Sequence, residues 1–142
     1  MGADPVHGPD RRPSASWAGV GRLLVVGEPV APPGWPKAVR PPGVPGWEAT
    51  ASAWLLDHCP PDYRAHDVLR RHPVVLVRFA AHHVEAALTG AREAYAGARR
   101  ELGDQVDPET LEAALRALEA EGARLARTVR EVSLVEEALH GI

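Results

Sequence analysis

From Val77 to Leu139, apolar residues recur at alternating intervals of four and three, and this alternation constrains the chain more than any other feature. One run is Val77, Ala81, Val84, Leu88, Ala91, Tyr95, Ala98 and Leu102. The other is Leu111, Leu115, Leu118, Gly122, Leu125, Val129, Val132, Glu136 and Leu139. An α-helix turns once per about 3.6 residues, so each run gathers on one narrow seam of a helix. Between the runs, Asp107 offers a carboxylate to the free N–H groups of a helix start, and Pro108 suits the first helical position. Val106 is placed to staple onto Leu111. Gly103 is expected to end the first helix in a left-handed conformation. The link from Gly103 to Val106 is so short that the two helices must be antiparallel neighbours.

Folding the runs about that link sets Ala98 against Leu115 and Tyr95 against Leu118, and brings Arg99 near Glu112 and Arg92 near Glu119. Both charge pairs have opposite signs, which supports the register more than the stability. At one level Ala91 faces Gly122, leaving little side-chain volume. Either the backbones approach there or a side chain from elsewhere, Trp54 or Leu55, fills the waist. Glu136 faces Val77 and needs water or an arginine. The opposite edge carries Ala80, Ala87 and Ala94 with Ala114, Thr128 and Val135, a smooth strip that a third element is expected to cover.

Upstream, residues 1–20 are small, polar and proline-containing, and are expected to be disordered apart from a docking role for Trp17. Leu23 to Val26 read as a short extended segment without a partner strand. Residues 21–46 form an extended, irregular, proline-rich arm, in which Pro32-Pro33-Gly34-Trp35-Pro36 and Pro41-Pro42-Gly43-Val44-Pro45 favour polyproline II and turns. Trp47, Ala51, Trp54, Leu55 and His58 share one face of a helix over about 47–58. A second short helix is expected over about 62–71, closed by Pro73.

His58, Cys59, His66 and His72 lie close in sequence and are good zinc ligands by type, yet their spacing fits no zinc motif. A lone cysteine excludes an internal disulfide, and its neighbour His58 is poorly placed to activate it. Glycine-rich phosphate loops, GxSxG and HExxH are absent. The net charge of −3 lacks the basic excess of a nucleic-acid binder. No apolar run approaches the ~20 residues that span a bilayer. The first residues have neither the basic nor the apolar part of a secretory signal, so a cytoplasmic protein is expected.

The sequence therefore predicts a mainly α fold: a long antiparallel, coiled-coil-like helical hairpin (about 74–102 and 108–140) within a helical domain over 47–142. Short N-terminal helices and the proline-rich arm pack along it. The expected function is a non-catalytic protein-interaction or assembly module, with a protein partner or self-association. Trp35, Trp47 and Trp54 serve as partner or core anchors. No catalytic residue, metal, cofactor, membrane or nucleic-acid partner is expected. The alternative is a regulatory protein that senses metal or nucleic acid through the segment from His58 to His72.

Overall fold

The computed structural model describes residues 30–141. The expected disordered tail, Trp17 and the Leu23–Val26 run lie outside the described residues. The rest is mainly helical, with no strand among the described residues. Four α-helices follow in order: α1 (Trp47–Asp57), α2 (Asp67–Arg71), α3 (Pro73–Leu102) and α4 (Pro108–His140), with a 3-10 helix at Pro61–Ala65 between the first two.

The two long helices pack together. Their polar contacts run in opposite order along the chain. Arg99 meets Glu112 at 2.9 Å near the link, and Arg78 meets Glu136 at 3.4 Å at the far end. Val77, Ala81, Val84, Leu88 and Ala98 are buried on α3, and Leu111, Leu115, Leu125, Val132 and Leu139 on α4. The start of α4 is capped: the Thr110 backbone N–H donates to Asp107 Oδ1 at 2.7 Å. That bond holds the Asp107 carboxyl below the usual carboxylate range.

The end of α3 differs from expectation. Gly103 has φ −55° and ψ −30°, a right-handed rather than left-handed conformation. Its N–H donates to the Arg99 carbonyl at 3.1 Å. A Cβ built on Gly103 meets that same carbonyl oxygen at 2.6 Å. Glycine is thus needed for a close approach, not for its φ.

Residues 30–46 depart from an extended arm. They form successive reverse turns, because each Pro-Gly pair has the chemistry of one. Proline presets the second position of a turn, and glycine accepts the positive φ of the third. Trp35 N–H donates to Pro32 C=O (3.1 Å), Val44 to Pro41 (3.2 Å) and Trp47 to Val44 (3.0 Å), with φ of +85° at Gly34, +91° at Gly43 and +82° at Gly46. The Thr50 hydroxyl ties this segment to α1, accepting from Arg40 N–H at 3.0 Å and donating to Trp47 C=O at 2.7 Å.

The expected helix over 62–71 is two pieces. His66 lies between them with φ −98° and ψ 110°. An unbroken helix would set Tyr63 and Leu69 about 120° apart around its axis. The break lets Leu69 be buried while Tyr63, half-buried, packs against the same core. Asp67 then braces the short α2 through Arg70 and Arg71.

Candidate interaction surface

Burial divides the helix pair into two regions. Away from the link, Trp35, Val39, Trp47, Ala51, Trp54, Leu55, Leu56 and Leu69 join Leu76, Val77, Ala80, Val132, Val135 and Leu139 in one core. Near the link the core among the described residues is only Ala98, Leu111 and Leu115. The cause is length. At about 1.5 Å per residue, α1 spans roughly 16 Å while α3 spans roughly 45 Å. The small-residue strip is accordingly buried at Ala80, Thr128 and Val135, half-buried at Ala87 and Ala114, and exposed at Ala94.

The three tryptophans converge in the larger core. Trp35 and Trp47 lie with ring centroids 6.0 Å apart. The Trp35 indole N–H donates to Val39 C=O at 2.9 Å. Trp54 meets His58 edge-on at 4.7 Å. All three are buried at 9% exposure or less, so in this chain they anchor its own core. Trp35 also lines a groove of about 1090 Å³ between the turns and α4, with Lys37, Arg127, Arg130, Glu131 and Leu134 among its walls.

Among the described residues, nothing fills the waist. Ala91, Arg92, Tyr95, Leu118, Glu119 and Gly122 line a dimple of about 280 Å³, and neither Trp54 nor Leu55 is part of it. A Cβ on Gly122 meets nothing within 4 Å. The expected Arg92–Glu119 ion pair does not form, whereas Arg99–Glu112 does. Tyr95, Leu102 and Val106 are 36–38% exposed on this half, although two of them belong to the seam. With only two helices, a seam has one flank and no roof.

A second apolar patch lies at the other end. Phe79, 48% exposed, meets Tyr63 edge-on with centroids 6.4 Å apart. Val68, Leu69 and His66 complete a shallow cavity of about 270 Å³ with them. The seam pattern gives Phe79 no role. The signal that marks it is Val75 four residues earlier, off the seam and also exposed.

The histidines and the cysteine do not come together as one cluster. His58 and Cys59 line a polar cavity of about 300 Å³ with Asp57, His83, Glu121 and Arg124, while His66 sits in the Phe79 patch and His72 precedes α3. Among the described residues, no group of three or more His, Cys, Asp or Glu is arranged to hold a metal ion. Burial pushes the Cys59 thiol up to about 11, so it is protonated at neutral pH. Burial, then the Arg124 charge, lowers His58 from its ordinary value, with Glu131 and Asp57 opposing. Glu121 holds Arg124 through two hydrogen bonds of 2.8 and 2.6 Å. Glu136, largely buried, lies 3.4 Å from Arg78 without a hydrogen bond to its inner oxygen, so the contact is electrostatic only. No described helix is long and apolar enough to cross a membrane.

Comparison of the chain with family models, curated proteins and solved structures finds no match.

Proposed function

We propose that this protein is a non-catalytic, cytoplasmic helical interaction or assembly module. Its coiled-coil-like hairpin is anchored at one end by a core and offers a binding surface at the other. The observation that carries the reading is the open half of the α3–α4 pair, where Tyr95 stays exposed in the wall of an unfilled dimple and Leu102 and Val106 stay exposed nearer the link. Exposed apolar side chains gathered on one face mark contact surfaces more often than scattered single ones do. Tyrosine and arginine are enriched among the anchors of such contacts.

The test is affinity purification of the tagged full chain from its own cells, compared with the Tyr95→Glu variant. The expected result is a protein, either an untagged copy of this chain or another, retained by the wild type and lost with the variant at unchanged thermal stability. Retention of nothing that depends on Tyr95 overturns the reading.

A further inference from the structure

The two edges that flank the dimple carry opposite charge. Residues seven apart lie on one edge of a helix seam. On α3 that edge reads Arg78, Glu85, Arg92, Arg99; on α4 it reads Glu112, Glu119, Ala126, Ser133. Three of four are arginine on one side, and the other side has no base. Within one chain this complementarity is used only in part. Arg99 pairs with Glu112, while Arg92 and Glu119 both line the dimple and make no ion pair with each other or with any other described residue.

Resting on the interaction reading above, we propose that the open half of the helix pair docks a second copy of this chain, with α3 of each copy lying over α4 of the other. A twofold axis parallel to the helices gives this arrangement, and it keeps every residue level with itself. Arg92 then faces the partner's Glu119, and Glu119 faces the partner's Arg92. The alternative axis, across the helices, lays α3 on α3 and sets arginine against arginine, which like-charge repulsion disfavours. All four neighbouring helix contacts in the chosen arrangement are antiparallel, as in simple four-helix bundles.

The packing is self-complementary as well. Ala91 and Gly122 from both copies make a layer of small side chains, which lets the two pairs approach closely. Tyr95 and Leu118 from both copies make the next layer, large on large, and roof each other's exposed seam. The open half measures about 22 Å along the helices and about 20 Å across them. That is roughly 440 Å² per copy, below the usual range of stable interfaces and within that of weak, transient ones, so the pairing is concentration-dependent.

Sedimentation equilibrium of the full chain over a wide concentration range tests this. The wild type is expected to dimerise reversibly, and more weakly as salt is added. Arg92→Glu alone and Glu119→Arg alone are each expected to raise the dimer dissociation constant at least about tenfold, because each sets like charges together at two symmetric places. An equimolar mixture of the two variants is expected to form a heterodimer, in which both contacts between position 92 of one chain and position 119 of the other again bring opposite charges together. Pairing within a chain cannot produce that rescue, and thermal unfolding of each variant checks that its fold is intact. A wild type that is monomeric at every concentration overturns the proposal, as does a dimer indifferent to either variant or a mixture that stays monomeric. In those cases the interaction reading still stands if the Tyr95-dependent retention of another protein is found, and falls with this proposal if it is not.

Discussion

A section across the protein at the level of Val77 and Val135 passes through α1, the turns that carry Trp35, and both long helices. Among the described residues, a section near Ala98 passes through α3 and α4 alone. The same seam spacing runs through both levels, so the local sequence rule is the same. The difference lies in what else is available to pack. Where a third element reaches, seam and strip residues are sealed at almost zero exposure, as at Val77, Ala80, Val132 and Val135. Where none reaches, a tyrosine and a leucine at seam positions keep more than a third of their surface in water. Helix stability in proteins comes mostly from tertiary packing. The first region therefore holds the fold, and the second is free to hold something else.

The sharpest way to break this comparison is one truncation in each region. Leu55 is wholly buried between α1 and the long helices. Leu55→Ala is expected to destabilise the protein by about 2–5 kcal/mol, the transfer loss plus a cavity. Tyr95→Ala, in the open half, is expected to cost under about 1 kcal/mol. Chemical denaturation of both variants at low protein concentration checks the pair. Equal losses would mean that the open half carries as much of the fold as the thick end.

Next in size are two glycines, needed for unrelated reasons. At Gly46 the backbone has φ +82° and ψ 4°, so Gly46→Ala incurs the left-handed penalty of about 1–2 kcal/mol. At Gly103 the conformation is ordinary, yet a methyl group would sit 2.6 Å from the Arg99 carbonyl. Gly103→Ala is expected to cost about 1–3 kcal/mol by forcing the backbone to shift. Thermal unfolding measures both. The Gly46 change is expected to loosen the turn segment first, seen as faster amide exchange around Trp35, while the Gly103 change frays the link.

These cases also show what was legible in the sequence. Two long helices joined by a tight link follow from periodicity and from the Asp107-Pro108 start, because helical spacing and capping act locally. The seam positions that end up exposed were not legible, since exposure at Tyr95 depends on whether another element covers the edge that carries Arg92 and Glu119, and among the described residues none lines the dimple there but α3 and α4. The broken helix at His66 was hidden for the same reason: the break follows from the need of Tyr63 and Leu69 to face one core. The Phe79 patch lies off the seam, where a pattern tuned to the seam gives no weight. The candidate surface was partly visible, in the Ala91 and Gly122 waist and in the edge charges. What the sequence could not say is that Trp54 and Leu55 would take no part in that waist, and that Arg92 and Glu119 would make no ion pair across it.

A smaller effect sharpens the comparison from the open side. Gly122 lies in the interior of α4, and its missing Cβ would touch nothing within 4 Å. Alanine there removes backbone freedom from the unfolded chain without a clash. Gly122→Ala is therefore expected to stabilise the dilute protein, by at most about 1 kcal/mol. A loss of stability would mean that the waist is closed in solution.

The smallest expected effect sits at the step between the regions, where α1 ends. His58 lies edge-on to Trp54, with Asp57 beside it, Arg124, Glu121 and Glu131 on α4 and His83 on α3. Burial and the Arg124 charge lower its pKa in the folded state, so the neutral ring is the form the fold accommodates. The sign follows directly. Below about pH 6.5 the unfolded chain takes up a proton at this histidine that the folded chain resists, so folding stability falls as pH drops. The loss begins near the unfolded value and levels off once the folded state protonates as well. Above that window the histidine contributes its full share and pH has no further effect through it. Urea midpoints measured between about pH 8 and about pH 5 should therefore decline more steeply for the wild type than for His58→Gln, which cannot take up the charge. Matching slopes would show that His58 is as accessible to protons in the fold as out of it, and that the boundary between the sealed and open halves is looser than the packing of Trp54 against it implies.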